Sequence, residues 1–345
     1  MNKTIVLMTP PYHTGIIEVT GKWPPLSLVY LAGHLRAAGF DVEIYDAMTK
    51  DHDLADVRAR LAEADPWMVM AGAFTPSVNA AIDCLKTAKD VNQKIITCLG
   101  GVHPTFCYEE IFRENPAVVD YIVRGEGEVT AVELAVALSG GGELSAIPGL
   151  AYLQDGMVVK TPDRPFLTDL DKLVPAWDLL EWEDYFYKVT GRRLALIGSS
   201  RGCPHRCRFC SQHLFWQGTY RERSPESFVA EVEYLHRNYG VGMFMLADEY
   251  TTYNRVRWEK TLDLLMEKHL DVHFSLETRA NDIIRDRDIL WKYRAAGIIH
   301  IYVGVETVRQ ADLDYYDKNI TVDEGREAVT LLNDAGIVTE CSFIL

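Results

Sequence analysis

The sequence lacks the features that mark membrane, secreted or nucleic-acid-binding proteins. No apolar run approaches the roughly 20 residues that a membrane-spanning helix needs, and the first residues lead into a strand pattern without a signal peptide. Positive charge is scarce, because 35 Lys and Arg face 50 Asp and Glu, for a net charge of −15. Such a surface repels a nucleic-acid phosphate backbone. These absences predict a cytoplasmic protein with no membrane span and no nucleic-acid partner.

Cysteine is also scarce, with 7 residues in a chain of 345. Three of them, Cys203, Cys207 and Cys210, lie close together on one loop. The other four stand apart, in or beside apolar segments: Cys84, Cys98, Cys107 and Cys341. Their spread predicts reduced core thiols and not disulfide partners.

The clustered cysteines have the spacing of a ligand set. Thiolates four and three positions apart on one loop can hold an iron–sulfur cluster. Three ligands leave one iron of a four-iron cube without a protein ligand, and that iron can bind a substrate, as the open position of a catalytic zinc site does. A zinc site completed by His205 or His213 stays open as an alternative, as do three unrelated thiols, although no second ligand pair follows along the chain.

The pattern Cys-x-x-x-Cys-x-aromatic-Cys, with Phe209 at the aromatic position, resembles the signature of radical S-adenosylmethionine (SAM) enzymes. The resemblance implies a [4Fe-4S] cluster that binds SAM and, when reduced, cleaves it to a 5′-deoxyadenosyl radical. It also implies an electron donor such as flavodoxin or ferredoxin, and it places Phe209 near the adenine of SAM. A core aromatic behind the loop is the structural alternative for Phe209.

The first part of the chain predicts a doubly wound, parallel α/β sheet. Short apolar strands alternate with helical patterns, and right-handed crossovers place helices on both faces of such a sheet. The predicted strands are 4–8, 42–45, 67–73, 94–99 and 121–123. The predicted helices are 26–38, 54–64, 77–91, 108–114 and 130–138. In sheets of this kind ligands bind at the carboxyl ends of the strands.

Candidate ligand-binding residues follow four of these strand ends. They are Tyr12, Thr75, Ser77, Gly100, Gly101, His103 and Glu126. Together they resemble the cobalamin-binding domain that precedes the barrel in many radical SAM enzymes. That resemblance implies that the paired glycines let the backbone approach the corrin, and that Thr75 and Ser77 bond its nucleotide tail. A nucleotide-binding or purely structural α/β module stays open as the alternative.

One element of many cobalamin proteins is missing, the Asp-x-His-x-x-Gly stretch that supplies a histidine to cobalt. The corresponding stretch reads Asp46-Ala-Met-Thr-Lys-Asp51, with Met48 in place of the histidine. Imidazole is a strong cobalt ligand, whereas a thioether is soft and weak for an oxidised ion. We therefore expect a cobalamin without a protein histidine on the metal.

The rest of the chain predicts a hairpin, a linker and a second α/β series. The hairpin turns at Asp155-Gly156. The second series has predicted strands 194–199, 243–247, 272–277, 300–303 and 338–345, and predicted helices 224–239, 256–268, 284–296 and 323–335. The resemblance implies a radical SAM partial (β/α)6 barrel that stops in or after its fifth strand, so we expect the protein to continue beyond Leu345. The predicted domains are a cobalamin-binding Rossmann-like domain over 1–142, a hairpin and linker over 143–190, and the partial barrel over 191–345.

Polar residues follow the strands of the second series as well. In the radical SAM pattern, Asp248 and Glu249 match the positions that bond the amino group of SAM, where carboxylates suit an ammonium. Glu277 and Arg279 match the positions that contact ribose and carboxylate. Gly304 and Glu306 match the family's Gly-x-Glu element. Ordinary surface carboxylates are the alternative at each strand end.

Longer strings resemble one subgroup, the anaerobic oxidative cyclases that form the fifth ring of bacteriochlorophyll from magnesium-protoporphyrin IX monomethyl ester. They include Trp23-Pro-Pro25, Asp46-Ala-Met-Thr49, Phe209-Cys-Ser-Gln212 and Leu246-Ala-Asp-Glu249. Residues 16–18, 213–214 and 250–253 depart from that subgroup and leave the substrate open. The resemblance implies an oxidoreductase that acts on a tetrapyrrole with SAM, a [4Fe-4S] cluster and cobalamin. A cobalamin-dependent radical SAM C-methyltransferase and a non-catalytic cobalamin or iron–sulfur sensor are the alternatives, although a sensor needs no SAM.

Overall fold

The computed structural model describes residues 3–13 and 20–344, so the sequence difference at 16–18 lies outside the described residues. The chain forms two compact units. One comprises Met1–Leu167 and Leu173–Asp184, and the other comprises Thr168–Lys172 and Tyr185–Leu345. Within the described ranges, no helix combines the length and the apolar character that crossing a bilayer requires.

The first unit is built on a seven-stranded sheet. Its strands are β1 (Thr4–Thr9), β2 (Asp41–Asp46), β3 (Met68–Gly72), β4 (Ile96–Gly100), β5 (Tyr121–Val123), β6 (Leu150–Gln154) and β7 (Met157–Lys160). They lie in the order β2-β1-β3-β4-β5-β6-β7. The first five are parallel, as predicted. The predicted hairpin is confirmed as β6 and β7, and it extends the sheet because β6 pairs antiparallel with β5.

Helices cover both faces of this sheet. They are α1 (Leu26–Ala37), α2 (Leu54–Ala64), α3 (Val78–Val91), α4 (Val102–Glu114) and α5 (Gly127–Gly140). The apolar core on one face includes residues of α2, α3 and α4, and the core on the other face includes residues of α1 and α5. Alternate residues of β1 enter opposite cores, Val6 one and Leu7 the other. Burial on both faces explains why these strands are continuous apolar runs, and the predicted doubly wound architecture is confirmed.

The second unit contains a curled six-stranded sheet that forms part of a barrel. Its elements are β8 (Phe186–Tyr187), β9 (Arg192–Ile197), β12 (Met243–Leu246), β13 (His273–Arg279), β14 (Ile298–Glu306) and β15 (Val338–Phe343). They lie in the order β15-β14-β13-β12-β9-β8. Five of them are parallel, as predicted, and β8 adds a short antiparallel edge. Strands β10 (Ser200–Arg201) and β11 (Arg221–Glu222) form a separate ribbon.

The helices of the second unit alternate with its strands. They are α6 (Gln212–Phe215), α7 (Pro225–Tyr239), α8 (Arg255–Glu267), α9 (Ala280–Arg285), α10 (Leu290–Ala295), α11 (Gln310–Tyr315) and α12 (Val322–Asp334). The prediction of a single helix over 284–296 was wrong, because α9 ends at Arg285 and α10 begins only at Leu290. The break lies at the buried Asp286, which accepts hydrogen bonds from Tyr293 Oη at 2.7 Å and Arg285 Nε at 2.6 Å.

Candidate functional site

The three clustered cysteines lie on a loop that follows β10. We call residues 203–210 the cysteine loop. It packs against residues 315–318, because Arg208 N donates to Tyr316 O at 2.9 Å and the Phe209 ring meets Tyr316 edge-on at 5.6 Å between centroids. The Arg208 guanidinium lies 5.4 Å from the centroid of the Tyr315 ring. Aromatic packing therefore fixes the outer side of the loop, including Phe209.

The thiols themselves are mostly shielded from water. Cys207 is buried, and Cys203 and Cys210 are partly buried. Burial raises the pKa of the Cys203 thiol, Arg279 opposes that change, and the neighbouring thiols add to it. Cys203 therefore needs a bound metal or cluster to become a thiolate at neutral pH.

The ligand side chains near the cysteine loop are not arranged around one metal ion in the described part of the chain. Among the described residues, no three Cys, His, Asp or Glu side chains gather closely enough to hold one metal ion. A four-iron cube takes its thiolates at separate corners, so its cysteine sulfurs stand farther apart than the ligands of one zinc ion. His205, the alternative zinc ligand, packs its ring against Tyr250 at 5.4 Å between centroids. Burial first, and then the charges of Arg279 and Lys318, lower the pKa of His205 to about 4.

Two buried cations line the inner side of the cysteine loop. Arg279, the last residue of β13, donates from Nη1 to Cys207 Sγ at 3.7 Å and from Nη2 to the carbonyl oxygen of Lys318. Lys318 places its Nζ 5.8 Å from the centroid of the Phe209 ring and 2.5 Å from Glu306 Oε1. Sequence reasoning missed Lys318, because it lies in the connection between α11 and α12, where no motif or periodicity marks it.

The Gly-x-Glu element is organised around Lys318. A Cβ on Gly304 would overlap the Nζ of Lys318, so the glycine makes room for the cation. Glu306 accepts from Lys318 and, at 3.1 Å, from Ser342 Oγ. Its φ of +68° lies in the left-handed region, which costs a non-glycine residue about 1–3 kcal/mol and persists where the surroundings enforce it. The Glu306 carboxylate thus contacts Lys318 and Ser342 in this structure, and its predicted role toward SAM stays a prediction.

Asp248 and Glu249 hold the two flanks of the cysteine loop. Asp248 is buried and accepts from Ser199 N at 2.7 Å, Ser199 Oγ at 2.5 Å and Ser200 Oγ at 2.7 Å. Glu249 accepts from Gly202 N at 2.9 Å and from Trp216 Nε1 at 2.7 Å. Burial raises the pKa of Glu249, and its hydrogen bonds oppose that change. Both residues anchor the loop in this structure, and their predicted contact with the SAM amino group stays a prediction.

Glu277 lies one layer below Arg279 on the same face of β13, since side chains two positions apart on a strand share a face. Its side chain keeps contact with solvent, yet partial desolvation raises the pKa of the carboxyl group, and repulsion from Glu249 and Glu340 adds to that change. The structure thus gathers two groups of predicted residues. Phe209, Arg279, Gly304 and Glu306 surround Lys318, whereas Asp248, Glu249 and Glu277 form an acidic side near the loop.

In the first unit, the loops after three neighbouring strands are tied together. Ala73 N donates to Gly100 O at 2.9 Å, and His103 Nδ1 lies 3.1 Å from Thr75 Oγ1. Thr105, which sequence reasoning missed, donates to Gly101 O at 2.8 Å and accepts from Gly125 N at 2.9 Å. The carboxyl-end edge of β3, β4 and β5 is therefore one connected surface that includes Thr75, Gly100, Gly101 and His103.

The glycine pair at this edge has two different structural roles. Gly101 has a φ of +103°, and a Cβ there would lie 2.5 Å from Ala73 O, so the close approach of β3 requires glycine. At Gly100 a Cβ would meet its nearest neighbour, Val123 O, at an ordinary 3.5 Å. Packing against Ala73 thus explains the glycine at position 101, whereas none of the described residues lies close enough to position 100 to require a glycine there.

The remaining predicted residues of this edge make contacts within the protein. Ser77 Oγ accepts from Phe74 N at 3.1 Å and closes the turn that begins α3. Glu126 is buried and accepts from Leu167 N at 2.8 Å. Tyr12 is partly buried after β1, where its backbone N donates to Pro10 O at 2.8 Å. The roles of these three residues toward a cofactor stay predictions.

The stretch that carries Met48 is a turn directly after β2. Asp46 is buried and accepts from Thr9 Oγ1 and, at 3.1 Å, from Thr49 N, which joins the ends of β1 and β2. Met48 itself is partly buried. The nearby His52 directs its Nδ1 to Tyr45 Oη at 2.8 Å, and burial raises the pKa of Tyr45 to about 12. Asp46 thus has a structural role that does not need a histidine two positions later.

Two protein-family models match the two parts of the chain. The model of the B12 binding domain matches residues 12–135. The model of the radical SAM superfamily matches residues 197–345.

Curated relatives match along nearly the whole chain. An anaerobic magnesium-protoporphyrin IX monomethyl ester cyclase of Rubrivivax gelatinosus is 41% identical over 99% of this chain and 62% of its own length. A protein of the same name from Synechocystis is 32% identical over 99% of this chain and 68% of its own. An uncharacterized methyltransferase of Pyrococcus horikoshii is 33% identical over 99% of this chain and 73% of its own. The chain thus spans about two thirds of the length of these relatives.

Solved structures share the fold. The cobalamin-dependent SAM radical enzyme OxsB superposes with a TM-score of 0.84 at 21% identity, over 99% of this chain and 49% of its own. The radical SAM methyltransferase TsrM of Kitasatospora setae superposes with a TM-score of 0.78 at 19% identity, over 99% of this chain and 66% of its own. Since fold, family models and relatives agree, the chain belongs to the family of radical SAM proteins that carry an amino-terminal B12-binding domain.

Proposed function

We propose that this chain carries the cofactor-binding parts of a cobalamin-dependent radical SAM enzyme. The observation that carries the proposal is the cysteine loop, three shielded thiols held between an aromatic wall and two buried cations. Cys203, Cys207 and Cys210 would hold a [4Fe-4S] cluster. When bound, the cluster and SAM supply a radical that removes a hydrogen atom from the substrate.

The residues around the cluster have distinct tasks in this proposal. Phe209 packs edge-on against Tyr316, which would present its ring toward adenine. Asp248 and Glu249 hold the loop flanks and so position the thiols. Glu277, Arg279, Gly304 and Glu306 form the polar wall on which SAM would lie. Gly304 contributes space, and Glu306 keeps Lys318 in place.

Cobalamin would bind at the carboxyl-end edge of the first sheet. From β1 the chain adds β2 on one side and then β3, β4 and β5 on the other side. Sheets of this kind bind ligands at the strand ends where the order of addition changes side, here between β1 and β3. Tyr12 follows β1, and Thr75 and Ser77 follow β3. Gly100, Gly101, His103 and Glu126 extend the same edge past β4 and β5. The exposed Phe74 supplies apolar surface there.

We further propose that the substrate is a tetrapyrrole and that the reaction is the anaerobic oxidative cyclisation of magnesium-protoporphyrin IX monomethyl ester. The relatives that carry this name support the proposal, because each match covers 99% of this chain, the parts with the cysteine loop and the sheet edges included. An electron donor such as flavodoxin or ferredoxin would reduce the cluster in the cytoplasm. The proposal also includes three parts of the chain: a cobalamin-binding domain over 1–142, a hairpin and linker over 143–190, and a radical SAM partial barrel over 191–345.

A cobalamin-dependent C-methyltransferase is the second candidate function. The relative named as a methyltransferase in Pyrococcus horikoshii favours it, at an identity close to that of the Synechocystis cyclase. Both reactions use the same cofactors, so the product must distinguish them.

Product analysis by mass spectrometry tests these functions. The chain is reconstituted anaerobically with iron, sulfide, SAM, a reductant and cobalamin, and then incubated with magnesium-protoporphyrin IX monomethyl ester. The cyclase proposal expects a ketone-containing ring-closed product. Addition of a methyl group would favour the methyltransferase, and 5′-deoxyadenosine without a substrate product would contradict this choice of substrate. Cys203→Ala is the control, because it removes a proposed cluster ligand and should abolish every product.

Electron paramagnetic resonance tests the cobalt environment separately. Met48 stands where many cobalamin proteins place a histidine, and His52 already bonds Tyr45. We expect the cobalt(II) form to lack nitrogen superhyperfine splitting from a protein ligand. Such splitting would refute the histidine-free site, and a chain that retains no cobalamin would refute the proposed role of this domain.

A further inference from the structure

Arg279 is a buried cation whose hydrogen bonds all go to groups other than carboxylates. Its Nη1 donates to Cys207 Sγ at 3.7 Å, its Nη2 to the Lys318 carbonyl oxygen, and its Nε to Asn281 Oδ1 at 3.4 Å. The residue is 6% exposed. In the described part of the chain, no carboxylate lies within ion-pair distance of its guanidinium. A buried charge without a counter-ion is costly. We therefore expect an anion to lie beside the Arg279 guanidinium in the functional protein.

The neighbouring carboxylate already has its own partner. Glu306 Oε1 lies 2.5 Å from Lys318 Nζ, and both side chains are 8% exposed. Arg279 contacts this pair through the carbonyl oxygen of Lys318, with its guanidinium directed at the cysteine loop. The cysteines of this loop, as thiolates on a bound cluster, would therefore be the anions that Arg279 meets. With an oxidised four-iron core, three thiolates carry a net negative charge, which grows when the core takes up an electron.

We propose that Arg279 acts as the counter-ion of the cluster and raises its reduction potential through the hydrogen bond to Cys207 Sγ. Charge and hydrogen bonds to cysteine sulfur are among the factors that set the potential of iron–sulfur clusters. A fixed cation stabilises the reduced, more negative cluster more than the oxidised one. Arg279 is thus a positioning and tuning residue. This inference rests on the proposed cluster at Cys203, Cys207 and Cys210.

A redox titration of the reconstituted chain, followed by electron paramagnetic resonance in the absence of SAM, tests the inference. Arg279→Met keeps the length of the side chain and removes the charge and the hydrogen bond. We expect the ratio of reduced to oxidised cluster at a fixed potential to fall at least about tenfold, which is a shift of about 59 mV to more negative values for a one-electron couple.

Arg208→Met is the matched control. It removes a positive charge from the cysteine loop itself, but the guanidinium of Arg208 lies over the Tyr315 ring and is not among the donors to a thiol. We expect a clearly smaller shift for this variant. Equal potentials for the wild type and Arg279→Met, or equal shifts for both variants, would overturn the inference.

Two further measurements distinguish this inference from two alternatives, a role of Arg279 toward SAM alone and a loss of cluster binding in the variant. If Arg279 serves the SAM carboxylate alone, Arg279→Met weakens SAM binding and keeps the wild-type potential, which overturns the inference but not the proposed function. If Arg279→Met retains no iron, Arg279→Gln takes its place, since glutamine stays polar and removes the charge. A more negative potential is then expected, and an unchanged one overturns the inference. A wild-type chain that binds no iron would overturn the proposed function itself.

Discussion

Glu249 accepts a hydrogen bond from the indole Nε1–H of Trp216 at 2.7 Å, while its other oxygen accepts from Gly202 N at 2.9 Å. One carboxylate thus joins the residue before the cysteine loop to a residue beyond it. Asp248, its neighbour, holds the segment before the loop through Ser199 and Ser200. The acidic pair after β12 therefore organises the loop before any cofactor binds.

Asp248→Asn should destabilise the second unit. The amide keeps the size of the side chain but places a donor against groups that now donate to the carboxylate, and leaving such buried groups unpaired costs about 1–3 kcal/mol. The free energy of unfolding of the apo chain, from urea denaturation, measures the effect. Asp323→Asn is the control, since the Asp323 side chain is 91% exposed and its ion pair with Arg326 contributes little. Equal stability of the two variants would contradict the anchoring role of Asp248.

Lys318 and Glu306 form a buried ion pair, and removing one partner should cost more than removing both. Lys318→Met leaves the Glu306 carboxylate buried without a counter-ion, which costs about 3–5 kcal/mol. The double variant Lys318→Met with Glu306→Gln should recover much of that loss, because no uncompensated charge remains. Urea denaturation of the wild type, both single variants and the double variant completes the cycle. Strictly additive effects would mean that the two charges do not stabilise each other.

Gly101→Ala should destabilise the first unit more than Gly156→Ala does. Both glycines have positive φ, at +103° and +77°, so both substitutions carry a backbone cost of roughly 1–2 kcal/mol. Only at Gly101 would the new Cβ also press on the backbone of Ala73, 2.5 Å from its oxygen, whereas the space around Gly156 is open. The urea midpoints of the two variants measure the difference. A Gly101→Ala variant as stable as Gly156→Ala would refute the close approach of β3 and β4.

The raised pKa of Glu277 makes stability depend on pH. Partial desolvation, and then repulsion from Glu249 and Glu340, raise this pKa above the ordinary value of 4.5. The folded chain then binds more protons than the unfolded chain once pH exceeds about 4.5, so stability falls as pH rises through the raised pKa. Glu277→Gln removes this cost, and we expect the variant to be more stable than the wild-type apo chain at pH 8. The difference should vanish below pH 4.5, and a difference that is independent of pH would exclude titration of Glu277 as its cause.

Much of the fold was predictable because its strands are short apolar runs that alternate with helices of regular apolar spacing. The helix at Leu54–Ala64 was predicted to the residue, and the structure shows a capping box at Asp53 that begins it there. The interruption of the helix at Asp286 was not predictable, because it depends on a buried carboxylate that accepts a hydrogen bond from Tyr293, the seventh residue after it. The cysteine spacing indicated the cluster, but the contacts that shape its environment join residues far apart in sequence. Cys207 and Arg279 are 72 positions apart, and Lys318 belongs to no motif.

The most direct test of the cofactor assignment is the metal content of the anaerobically purified and reconstituted chain, read together with its visible spectrum. We expect about four irons per chain with broad visible absorbance, lost in each of Cys203→Ala, Cys207→Ala and Cys210→Ala. Cys107→Ala, which changes a thiol in the first unit, should retain both. Stoichiometric zinc without visible absorbance, or iron that persists in the three loop variants, would contradict the account.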